Sequence, residues 1–285
     1  MQSLWMIVAS LLFACMGVCV KFAAQAGFSA AEIVFYRCAI ALGLMTLMVR
    51  LRGVTLKTPH WGFQLKRGVS GFLALTLYFW AITLLPLGTA VTLNYTAPLF
   101  LALLLVVFAG LRLSRGMVLA LLTGLMGVAL LLKPSIQADS SFGGLVGLAS
   151  GLLAALAYYN VRELGALGEP ESRTVFYFSL LSTLGSLVWL AFSELHRPTL
   201  ATGLLLLGVG AFATLAQLAM TRAYARGKPL VSASLAYTTV VFASLLGALF
   251  WGEVLGWLEA LGMVLVILSG IAASRASRPH SAEQD

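Results

Sequence analysis

Ten stretches of roughly twenty residues, with no Asp, Lys or Arg in the middle of nearly all of them, follow one another along the chain with short interruptions. A helix rises about 1.5 Å per residue, so each stretch matches the roughly 30 Å hydrocarbon thickness of a bilayer. Composition removes the soluble alternative: 60% of the 285 residues are hydrophobic and only 10% charged, more apolar surface than one water-soluble core can hide. The short alternating segments of a membrane β-barrel are absent. The sequence predicts an all-α integral membrane protein with spans near 3–22, 31–49, 67–85, 88–108, 116–133, 143–161, 174–192, 203–223, 229–250 and 256–273. Pro86-Leu87-Gly88, Lys133-Pro134, His196-Arg197-Pro198 and Gly227-Lys228-Pro229 supply the turns between them.

The cations orient this bundle. With the N-terminus cytoplasmic, fourteen of the eighteen Lys and Arg residues fall in inner loops and tail, Arg67 and Arg173 among them, and only Lys21, Lys133 and Arg197 lie outside. That asymmetry follows the positive-inside rule and predicts that both termini are cytoplasmic. The net charge of +8 is thereby accounted for by topology, and nucleic acid is not expected as a partner. The segment MQSLWMIV lacks a basic n-region, so the first span reads as retained rather than cleaved. Cys15, Cys19 and Cys38 all fall in the first two spans and read as packing residues with no metal-ligand pattern.

The chain also repeats itself. LNYTAPLF at 93–100 returns as LAYTTVVF at 235–242, 142 positions later; Val34-Phe35-Tyr36 returns as Val175-Phe176-Tyr177, and the A-S-x-L-x-A of 9–14 returns at 149–154. A displacement this constant predicts two five-helix units, 1–133 and 143–275, followed by a polar cytoplasmic tail, 276–285. Five is odd, so the second unit must enter the membrane from the opposite side. Inverted repeats related by an axis in the membrane plane are a common construction of secondary transporters, because two similar halves can exchange conformations.

The stretches LPLGTAVTLNYTAPLF, RAYARGKPLVSASLAYTTVVF, the F-W-G-E at 250–253 and the FYR of the second span together resemble the EamA family of the drug/metabolite transporter superfamily, over about 3–273. The resemblance implies a multi-pass carrier of the bacterial cytoplasmic membrane. Its first half is most similar to members associated with S-adenosylmethionine uptake, and the family also includes exporters of amino acids, amines and drugs. One departure stands out. The first unit reads Gly110-Leu111-Arg112 where the second reads Gly252-Glu253-Val254, so any role of that acid rests on Glu253 alone.

Polar groups within the spans nominate a substrate site, since each is costly in hydrocarbon unless satisfied. Asp occurs only at 139 and 285 and His only at 60, 196 and 280, all outside the spans, which argues against carboxylate-pair or His-metal catalysis. Arg37 lies about six residues into the second span, from where it could meet a substrate carboxylate, snorkel, or bond helix-end carbonyls. Lys21 reads as an interface anchor. Asn94 stands one turn before Pro98, whose missing N–H frees a backbone carbonyl and kinks the fourth span; its amide could face substrate or a neighbouring helix. Thr214, Gln217, Thr221 and Tyr224 form a polar stripe on the eighth span. Tyr78 and Tyr158 read as belt or cavity residues, while Tyr95 and Tyr237, equivalent under the repeat, could flank a central cavity.

These observations predict a secondary transporter for a small polar or amphipathic metabolite, S-adenosylmethionine-like or amino-acid/amine-like, working by alternating access around a cavity lined by spans one, three, four, six, eight and nine. A multidrug or metabolite exporter of the same fold and, from another class, a membrane scaffold or intramembrane enzyme are the alternatives. No cofactor or metal is expected, and no phosphate-binding glycine loop is present. The expected partners are the small-molecule substrate and the bilayer, with a homodimer left open.

Overall fold

The computed structural model describes residues 1–134, 141–193 and 195–277. Asp139, Arg278, His280 and most of the expected tail lie outside them. All regular structure among the described residues is helical: α1 (Trp5–Gln25), α2 (Ala30–Leu51), α3 (Trp61–Leu84), α4 (Leu87–Asn94), α5 (Ala97–Ala109), α6 (Arg115–Leu132), α7 (Ser141–Ala166), α8 (Glu171–Leu190), α9 (Leu200–Arg226), α10 (Pro229–Ala236), α11 (Thr238–Trp251) and α12 (Trp257–Ala276), with a 3-10 turn at Gln2–Leu4. They make ten spans long and apolar enough to cross a membrane, because α4–α5 and α10–α11 each form one interrupted span.

Local chemistry sets the ends. Ser29 and Glu32 form a capping box at the start of α2, and Thr199 and Thr202 form one at the start of α9; each satisfies N–H groups that the first turn leaves free. Gly110 and Gly252 end α5 and α11 in the left-handed region, at φ 62° and 66°, where a side chain would be strained. The span ends differ from expectation by a few residues, with one consequence. The third span begins at Trp61 rather than 67, and the seventh at Glu171. Arg67 and Arg173 are therefore helical and buried, at 2% and 8% exposure, instead of lying in cytoplasmic loops.

Both interrupted spans break at the repeated Tyr-Thr. The sequence assigned the kink to Pro98, which indeed stands at the second position of α5. Yet span nine breaks at Tyr237 with Val240 in place of that proline. What the two breaks share is the threonine: Thr96 donates its hydroxyl to the Leu93 carbonyl and Thr238 to that of Leu235, both at 2.6 Å. A hydroxyl that takes a carbonyl three residues back competes with the helical ladder.

Packing contacts are exchanged between the halves. Gly68 of α3 faces Leu181 of α8, and Gly210 of α9 faces Ile40 of α2. Gly210 stands 142 positions after Gly68, and Leu181 stands 141 after Ile40, so each half makes on the other the contact it receives. The same relation pairs α3 with α7 and α9 with α1, while α2 meets its own counterpart α8, and α6 meets α12. With five spans per half this is an inverted repeat. Tight crossings depend on small residues, as expected where apolar burial gives no preference for helix over lipid. Gly17 of α1 is different: a Cβ there would meet nothing within 4 Å. Gly17→Ala is expected to stabilise the helix by about 0.5–1 kcal/mol, read as a raised midpoint in thermal unfolding in detergent.

Candidate functional site

The two helix breaks bring the repeated tyrosines together. Tyr95 and Tyr237 have ring centroids 6.2 Å apart, tilted by 41°. Tyr158 of α7 stacks on Tyr224 of α9 at 4.7 Å and 12°. Tyr224 lies within electrostatic reach of Tyr158, Tyr237 and Tyr95, and Tyr95 within reach of Tyr78. All five predicted tyrosines therefore belong to one cluster on spans three, four, six, eight and nine. Tyr224 and Tyr237 are 1% and 0% exposed, and their hydroxyls have no hydrogen-bond partner among the described residues. A buried hydroxyl left unpaired is costly, so the cluster holds donor capacity that its own residues leave unused.

Arg37 and Gln217 meet elsewhere. They line a crevice of about 10 Å³ with Cys38, Ala41, Val175, Phe178, Ser179, Ala213 and Thr214, room for about one water molecule. Its walls are α2, α8 and α9, spans two, seven and eight, of which the predicted cavity included only the last. The reason is the exchange symmetry: α2 and α8 are counterparts that face each other where the halves join. Arg67 adjoins this crevice, with its guanidinium 4.2 Å from the centre of the Phe178 ring. Tyr158 lies within electrostatic reach of both arginines, which joins crevice and tyrosine cluster into one region. Sequence reasoning missed Arg67, Phe178 and Ser179. The available signal was the polar series Gln64, Arg67, Ser70 and Gly71, visible once the third span starts at Trp61.

Asn94 donates to the Ser150 hydroxyl at 3.0 Å, an interhelical bond to α7. The carbonyls of Leu93 and Asn94, beside the break, face Gly151 of the same helix. The predicted stripe, Thr214, Gln217, Thr221 and Tyr224, is buried along α9.

Both ends of the bundle are closed by polar contacts between halves. On the face that holds Ser3 and Ser277, Arg173 of α8 donates from Nε to the Thr55 carbonyl at 2.8 Å and pairs with Glu169 at 2.8 Å. Glu169 also accepts from Thr58 and Gln64, and Tyr177 donates to the Leu56 carbonyl. The loop between α2 and α3 is thus tied to α8 and the turn before it. On the opposite face, Glu32 of α2 accepts from the backbone N–H of His196 at 2.5 Å and faces its Nδ1 at 3.1 Å. Arg173 stands 141 positions after Glu32, and His196 stands 141 after Thr55. The two latches are one contact made twice, on opposite faces, with charge and donor direction reversed.

Lys21 is not a lone anchor. It pairs with Glu253 at 2.8 Å and sits 4.0 Å from the centre of the Trp251 ring. Its counterpart Arg162 faces a unit in which Leu111 replaces the acid, and it pairs with its neighbour Glu163. The acid present once in the sequence therefore makes an ion pair on one face only. Both Lys21 and Glu253 are about half exposed, so Lys21→Met is expected to cost below about 1 kcal/mol, measured by the same thermal unfolding.

Residues 1–133 and 141–275 each match the model of the EamA-like transporter family. The chain is 36% identical over 273 residues to a pseudopaline exporter, CntI, of Pseudomonas aeruginosa, covering 95% of each chain. It is 29% identical to an uncharacterized transporter of Helicobacter pylori, over 93% of this chain and 91% of that one. It is 27% identical to a riboflavin transporter of Brucella anthropi, over 77% and 79%. A solved crystal structure superposes with a TM-score of 0.86 at 20% identity, covering 97% of this chain and 99% of that one, a likeness of fold.

Proposed function

The chain belongs to the EamA-like transporter family as a multi-pass protein of the bacterial cytoplasmic membrane, and from that premise we propose that it is a secondary transporter moving a small metabolite by alternating access. The moving parts are the five-helix units 1–133 and 143–275. The observation that carries this reading is the pair of repeat-equivalent latches. Both are closed around a crevice of about 10 Å³, so a solute can enter only when one of them opens. Equivalent contacts on opposite faces are what exchange between two inverted states requires.

The region of Arg37, Gln217 and the five tyrosines is the substrate site in this proposal. Family and relatives are transporters, in line with a chain that does no covalent chemistry. The S-adenosylmethionine-like solute gains no support from relatives named for pseudopaline and riboflavin. Export is the direction that the likeness to the pseudopaline exporter supports.

The test is solute exchange by the purified protein in liposomes, with amino acids, carboxylates, flavins, polyamines and S-adenosylmethionine offered in turn. Saturable exchange of at least one is expected, and exchange of none would overturn the reading. Gln217→Ala is expected to raise the half-saturation concentration about tenfold, the effect of losing one or two hydrogen bonds to a bound solute. An unchanged value would remove Gln217 from the site.

A further inference from the structure

Arg37 and Arg67 are two cations in the interior of a membrane protein, and neither forms an ion pair among the described residues. The Nε of each is buried without a hydrogen-bond partner among the described residues. Arg67 is 2% exposed, and its one ring contact is the face of Phe178. Arg37 lines the same crevice as Phe178, the ring on which Arg67 rests. A buried cation without a partner is costly, and a second cation beside it adds repulsion. The fold keeps both although it neutralises the buried cation Arg173 with the carboxylate of Glu169.

The repeat shows that the charge is particular to this half of the site. The position equivalent to Arg37, 141 residues on, is Phe178, the ring on which Arg67 rests. Where the halves face each other, the first presents two guanidinium groups and the second an aromatic ring, Ser179 and Gln217. A guanidinium offers paired N–H donors at the spacing of a carboxylate's oxygens.

On the reading of the chain as a transporter, we infer that Arg37 and Arg67 form a carboxylate-binding site, and that the transported metabolite is an organic acid. The substrate supplies the negative charge that the protein leaves out. Its carboxylate takes the guanidinium N–H groups, and Gln217, which lines the same crevice as Arg37, is placed to meet a further polar atom. Amines and other purely cationic solutes are excluded by the same two charges.

The test uses thermal unfolding of the purified full-length protein, with exchange in liposomes measured in parallel. The probes are mono-, di- and tricarboxylates and amino dicarboxylates, their amide analogues, inorganic phosphate, and a polyamine. Carboxylates are expected to raise the unfolding midpoint and to exchange, with the amide analogues at least tenfold weaker. Arg37→Gln and Arg67→Gln are each expected to abolish the carboxylate-induced shift while leaving the ligand-free midpoint equal or higher, whereas a purely structural arginine would lower it. Arg37→Lys should restore part of the shift. Arg37 is only half-buried, so its variants carry the test if Arg67→Gln does not fold. Stabilisation by carboxylates without exchange would support the site and defeat the transport reading. Exchange of amides or polyamine with unchanged half-saturation in Arg37→Gln would keep transport and overturn the site, and stabilisation by phosphate alone would also overturn the site. No stabilisation and no exchange by any probe would overturn both.

Discussion

Arg173→Ala is expected to open the face that holds Ser3 and Ser277 and to abolish most exchange. The Arg173 side chain is 10% exposed and that of Glu169 is 2%, so the variant leaves a buried carboxylate without its ion pair. Removing one partner of such a pair costs about 3–5 kcal/mol, more than roughly 100-fold in the equilibrium between closed and open forms. It also frees the Thr55 carbonyl, which tethers the loop between α2 and α3. The measurement is labelling by an impermeant thiol reagent of Ser172→Cys, buried at 8% exposure beside the latch, in a background without Cys15, Cys19 and Cys38. Labelling should accelerate strongly on Arg173→Ala, and adding Glu169→Gln should recover much of the lost stability by removing the stranded charge. Unchanged labelling would show that the contact is not a gate. Glu32→Gln makes the corresponding change at the repeat-equivalent latch, and should bias the protein toward opening on the opposite face.

Gly127→Val is expected to prevent accumulation of folded protein. A Cβ at Gly127 would stand 2.6 Å from the Gly262 carbonyl oxygen and 3.0 Å from the Val266 nitrogen, backbone atoms that cannot rotate aside. The obstruction lies at the crossing of α6 and α12, the last helices of the two halves. Forcing extra methyl groups into a packed interior commonly costs about 1–3 kcal/mol, and here the strain falls where the halves are joined. Size-exclusion profiles in detergent would show loss of the monodisperse peak, with Gly127→Ala intermediate. The tolerance expected of Gly17→Ala supplies the contrast: the same residue type, also within a spanning helix, with no neighbour within 4 Å. A normal profile for Gly127→Val would mean that the helices separate there at little cost.

Much of the architecture was legible in advance. Apolar runs gave ten spans, and the constant displacement of about 142 positions between LNYTAPLF and LAYTTVVF gave two units. The geometry of the candidate site was legible in part. The tyrosines singled out by the repeat do come together, while the kink credited to Pro98 belongs equally to a threonine that both halves carry. Arg67 and Arg173 were lost among the cytoplasmic cations because a charge near a span's end looks the same in sequence whether it points into water or into the bundle. The partnership of Lys21 with Glu253, 232 positions away, has no local signal at all.

The sequence by itself determined the solvent, the number of spans and the inverted duplication, because hydrocarbon obliges each segment to satisfy its own backbone and leaves one solution per apolar run. Tertiary structure alone decided which buried charges are neutralised and which are left waiting. That depends on the rotation and depth at which each helix docks, where a turn of 100° or a shift of a few residues along α3 moves Arg67 from water to the side of Phe178.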